Sequence, residues 1–130
     1  MRGGASDRLY SAEFLSPEEI FCLLKQQAEE ELAPYSDDPE MIEEYTRYCA
    51  LIAGLEQTWR NFMRALPGAL AAGLQGDFEE SQLAWQKINE WPALAAHWHR
   101  TRESFRRLDQ ETGEALAAAL ETGQAHALAL

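Results

Sequence analysis

Positive charge is scarce in this chain. Its 130 residues carry 11 Lys and Arg against 22 Asp and Glu, a net charge of −11 at neutral pH. Nonspecific binding to nucleic acid needs cationic side chains that displace counterions from phosphates. The chain as a whole would be repelled by such a polymer, and only a local basic strip could engage one. Glycine (8) and proline (5) are also few, and they gather at isolated points of punctuation. A β fold needs turn signals at short, regular spacing, so this distribution favours helices. The two cysteines, Cys22 and Cys49, fall in helical patterns without the spacing of zinc ligands. They read as reduced thiols of a cytosolic protein.

Long hydrophobic runs are missing as well. The most apolar window, ALPGALAAGL at 65–74, is far short of the roughly 20 residues that a membrane span requires, so no membrane association is expected. The opening residues, MRGGASDRLY, have no apolar stretch of the kind a secretory leader uses, and the expected location is cytoplasmic. There is no glycine-rich phosphate loop, no serine nucleophile elbow, no CxxC pair and no HExxH. No residue nominates itself as catalytic, cofactor-binding or metal-ligating.

What is present is helical punctuation. Ser16-Pro17-Glu18-Glu19 forms a capping box with proline at the first helical position, and a first helix is expected over 17–33, where Pro34 stops it. Asp38-Pro39 repeats the device. From there Met41, Tyr45, Tyr48, Ile52, Leu55, Trp59, Phe62 and Leu66 recur at alternating steps of four and three. This heptad seam predicts a second, long helix over 39–66. Asp77 opens a third helix, to residue 90. Pro92 then starts a last one, over 92–122, on a weaker heptad pattern through Trp91, Leu94, Trp98, Thr101, Phe105, Leu108, Thr112, Ala115 and Ala119. Each long helix has one apolar and one charged face and cannot stand alone in water. The expected fold is all-α, an antiparallel bundle of about four helices over 16–122. Residues 1–15 form an arm before it and 123–130 a tail after it.

The most chemical-looking stretch is WPALAAHWHRTRESFRRL at 91–108. Successive residues of a helix are about 100° apart, so His97 and His99 point in different directions and cannot grip one ion. A carboxylate-bridged metal bundle would need Glu-x-x-His on two helices, and that motif is absent. The histidines read as structural or surface residues. Arg100, Arg102, Arg106 and Arg107 lie off the apolar seam and form a basic strip. It suits a solvated face or the docking of an acidic partner, with the chain's own first third as the nearest acidic surface.

Charge is uneven along the chain: residues 1–56 hold 13 acids and 4 bases, residues 57–130 hold 9 and 7. The acids of the first third read as a solvated face, with an acidic mimic of nucleic acid as the sharper alternative. The seam of the second helix is longer than its neighbours can cover, which leaves apolar surface for a second copy of the chain to bury. Tyr45 and Tyr48 need partners for their hydroxyls if buried, which makes the start of that helix a rim of an interface or pocket. Trp59, Trp91 and Trp98 are candidate interface anchors, together with the two tyrosines and the four arginines. The function expected from the sequence is non-enzymatic association with a protein partner or with itself, as a homodimer. The alternative is a bundle that binds a small apolar or aromatic ligand in a tryptophan-lined pocket. A metal-dependent enzyme comes third.

Overall fold

The computed structural model describes residues 16–122; the arm expected at 1–15 and the tail expected at 123–130 lie outside the described residues. Six α-helices and no strand are found among those described. They are α1 (Pro17–Leu32), α2 (Pro39–Ala65), α3 (Gly68–Leu74), α4 (Phe78–Glu90), α5 (Pro92–Leu108) and α6 (Gln110–Thr122), with a 3-10 turn at Ala33–Tyr35 between the first two.

The starts follow from local chemistry. Ser16 Oγ accepts the amide of Glu19 at 3.3 Å, and Glu19 Oε1 accepts the amide of Ser16 at 3.2 Å. Each satisfies a donor that the helix itself cannot. Asp38 accepts the amide of Glu40 at 3.0 Å ahead of Pro39, and Asp77 accepts that of Glu80 at 2.9 Å. Trp91 gives no side-chain cap; its extended backbone and Pro92 separate α4 from α5.

One expected helix is two. The seam spacing predicts a continuous rod over 92–122, but the chain breaks at Asp109, whose backbone is extended (φ −163°, ψ 114°). Asp109 carboxylate accepts the amide of Thr112 at 2.9 Å, capping a new helix. Gly113 then lies against the previous one: a Cβ there would be 2.5 Å from the carbonyl carbon and oxygen of Phe105. The break resets the phase. The buried residues of α6 are Gly113, Leu116, Ala117, Ala119 and Leu120; of the predicted seam positions Ala119 is buried, while Thr112 and Ala115 are only half-buried. With the short α3 also helical, the expected count of four becomes six.

The core is built on the second half of the α2 seam. Ile52, Leu55, Trp59 and Phe62 are buried there, against Ile20, Phe21 and Leu24 of α1, Trp85 and Ile88 of α4, and Trp98 and Phe105 of α5. Aromatic rings dominate its centre. Trp85 and Trp98 have centroids 4.7 Å apart, Trp98 and Phe62 5.1 Å, and Trp59 meets Trp98 edge-on at 6.2 Å. Full burial of side chains this size is worth about 1.5–3 kcal/mol each. Along α2 and α5 the pairings run in opposite sense: Phe62 meets Trp98, and Gly54 faces Leu108.

Candidate functional site

The first half of the α2 seam is covered differently. Met41, Tyr45 and Tyr48 are only half-buried, whereas Ile52 onward is enclosed. The cause is topological. Near its start α2 is met by α1, while the aromatic centre formed with α4 and α5 begins further along. Between α1 and the start of α2 lies a groove of about 410 Å³. Leu24, Ala28 and Leu32 supply one wall, and Met41, Tyr45 and Tyr48 the other. Gln27, Glu31 and Glu44 stand in its lining as polar groups. Each wall spans about two helical turns, on the order of 12 Å.

The groove is acidic. Glu31 and Glu44 are exposed and make no ion pair with any described residue. The bases nearest in sequence are already engaged: Lys25 Nζ lies 2.6 Å from Glu56, and Arg47 pairs with Glu43 at 3.0 Å. Negative charge also reaches the tyrosines. Burial, then the charges of Glu31, Cys49 and Asp109, push the Tyr48 hydroxyl above its usual 10.0. Tyr45 is raised too, first by a hydrogen bond with Cys49 one turn on.

The aromatic interface candidates separate into three sets. Tyr45 and Tyr48 line the groove. Trp59 and Trp98 do not reach the surface; at 1% and 2% exposure they are core side chains, and no partner could touch them without opening the fold. The heptad spacing shows that they face inward but not what covers them. Trp91 is the reverse. It lies on the same predicted seam, yet is 63% exposed because it occupies the junction between α4 and α5.

Two of the four arginines of the basic strip are paired within the chain, and by a different segment from the expected acidic first third. Arg106 pairs with Glu103 at 2.9 Å and Glu114 at 3.1 Å, and Arg102 approaches Glu121 at 3.7 Å. These contacts exist because α6 folds back on α5. Arg100 and Arg107 are exposed and make no ion pair with a described residue. A cleft of about 270 Å³ beside Arg102 and Arg106 is walled by Glu114 and Glu121, so its charges offset one another.

His97 packs on Phe62 with centroids 5.2 Å apart, and His99 is exposed. Among the described residues no three His, Cys, Asp or Glu side chains are grouped so as to hold a metal ion. None of their helices is long and apolar enough to cross a membrane. Trp59, Trp85 and Trp98 contact one another ring to ring and line neither the groove nor the apolar cleft of about 330 Å³ between α3 and α4. Two exposed large side chains of α4 escaped the sequence reading: Leu83, which lines that cleft, and Phe78. Leu83 is readable as lying off the Trp85–Ile88 stripe. Comparison with protein-family models, with curated proteins and with solved structures gives no match.

Proposed function

We propose that the chain acts by protein–protein association, without catalysis, and that the α1–α2 groove is the surface through which it does so. The supporting observation is the uneven cover of one apolar seam: its Ile52–Phe62 half is enclosed, and its Met41–Tyr48 half is left partly open with two tyrosines. Tyrosine buries a large ring at little entropic cost and keeps a hydroxyl for a polar partner, which suits an interface. Arg100 and Arg107, which make no ion pair with a described residue, would set orientation more than affinity. Both cysteines are free thiols, which supports a reducing compartment, the cytoplasm, as the place of work. The ring-to-ring contacts of the tryptophans give less support to a tryptophan-lined ligand pocket.

The test uses Met41→Asp and Tyr45→Asp. Association, read by light scattering for self-assembly and by co-purification for another partner, should weaken by about tenfold or more. Thermal unfolding should stay close to that of the parent chain, because both sites are only half-buried. Unchanged association in both variants would move the interface elsewhere.

A further inference from the structure

Resting on that reading, we infer that the occupant of the α1–α2 groove is an amphipathic basic helix of another protein. The length of the walls matches two turns of a docked helix. Two walls of about two turns each accept three or four apolar side chains spaced i, i+3 or i+4, i+7, the pattern of helix-in-groove recognition. Leu24, Ala28, Leu32 and Met41, with the rings of Tyr45 and Tyr48, are the apolar part of the lining and take the apolar stripe, while Gln27, Glu31 and Glu44 supply the polar part.

The rim selects the flanks. Glu31 and Glu44 are exposed and make no ion pair with a described residue, and the charge of Glu29 also acts on Tyr45. Carboxylates flanking the apolar stripe attract Lys or Arg on either side of a docked helix and repel acids there. The same rim argues against a second copy. A two-fold dimer formed through the groove sets the same surface against itself, and carboxylate would face carboxylate. Seating one copy's Arg100 and Arg107 in the next copy's groove is head-to-tail, and it propagates unless the rotation closes. The chain's own ends lack the required charge: residues 1–15 hold Arg2 and Arg8 against Asp7 and Glu13, and residues 123–130 contain no Lys or Arg.

The experiment titrates the full chain with three helical peptides of about 15 residues that share one leucine stripe and differ only in flanks of Lys, Gln or Glu, followed by fluorescence anisotropy. The Lys-flanked peptide should bind about tenfold more tightly than the Gln-flanked one and more tightly still than the Glu-flanked one. The gap should narrow as salt is raised. Glu31→Lys with Glu44→Lys, both at exposed positions, should reverse the order of preference. Met41→Asp should weaken the Lys-flanked peptide by about tenfold.

Equal affinity for all three flanks would overturn the basic partner and leave association through the groove standing. A Lys peptide with its leucines scrambled that binds as well as the ordered one would reduce the attraction to nonspecific charge and overturn the helix. No binding by any peptide, together with a dimer by light scattering that Tyr45→Asp dissolves, would assign the groove to a second copy. No peptide binding and no association sensitive to groove substitutions would overturn both readings.

Discussion

The indole N–H of Trp85 on α4 donates to the backbone carbonyl of Leu120 on α6, 2.8 Å away and 35 positions later. That bond ties the last described helix to the aromatic centre. It also distinguishes Trp85 from Trp59 and Trp98, whose indole nitrogens are buried with no hydrogen-bond partner among the described residues.

The contrast yields a paired prediction. Trp85→Phe and Trp98→Phe remove the same ring from sites of similar burial, but only the first breaks a hydrogen bond and strands a carbonyl. Trp85→Phe should cost more in urea unfolding, by roughly 1–3 kcal/mol. Equal costs would mean that the Leu120 bond contributes nothing net.

Two glycines should respond oppositely to alanine. At Gly113 the new methyl would lie 2.5 Å from the Phe105 carbonyl and 2.9 Å from the Arg106 nitrogen, backbone atoms that cannot rotate away. Overpacking of this kind costs about 1–3 kcal/mol or more. At Gly54, inside α2, the nearest atom is the Cδ1 of Leu108 at 3.5 Å, an ordinary contact. There the gain in helix propensity should dominate, stabilising by about 0.5–1 kcal/mol. Denaturant midpoints of the two variants should move in opposite directions.

Replacing Trp59 by alanine empties the centre of the core and should cost about 3–5 kcal/mol, a large share of the 5–15 kcal/mol typical of a whole domain. Trp91→Ala removes a side chain that is 63% exposed and should change stability by no more than about 0.5 kcal/mol. Chemical denaturation of both variants checks the assignment of one to core and the other to surface.

Tyr48 carries a pH prediction. Its folded pKa lies above the usual 10.0, chiefly through burial and then through neighbouring negative charge. The folded state therefore holds the proton longer than the unfolded state. The stabilisation from this group is fully present below pH about 10 and is lost as pH rises through the folded value. Tyr48→Phe should flatten the alkaline fall in stability, and should remove a late-titrating tyrosine from the ultraviolet absorbance titration. A tyrosinate spectrum developing in one ordinary step would contradict the environment assigned to it.

Much of this fold was legible because its punctuation is local. The Ser16–Glu19 box, Asp38 before Pro39, and Asp77 each act within three residues, and all three appear as sequence signals. The seam of α2 also carries its own inequality: its predicted excess length corresponds to the half-open Met41–Tyr48 end. The corner at Asp109 was harder. Phe105, Leu108, Thr112 and Ala115 keep heptad spacing through it, so the periodicity argues for continuity. Asp109 ahead of Glu111 and Thr112 is a capping signal in its own right, but Gly113 against Phe105 is a tertiary contact that no local pattern displays. The pairing of Arg102 and Arg106 with α6 depends on that corner and was hidden with it. The groove was legible in part. The positions of Tyr45 and Tyr48 on the seam point to a rim, while Glu31 and Glu44 become neighbours of the same apolar strip only once α1 folds back along α2.

The corner at Asp109 also makes α6 a latch. Because α6 turns back on α5, it lends its Leu120 carbonyl to the Trp85 indole and packs Leu116, Ala117 and Leu120 into the same cluster as the rings. A chain cut after Leu108 would lose both at once, and its exposed apolar surface would bind a hydrophobic dye that the closed molecule excludes.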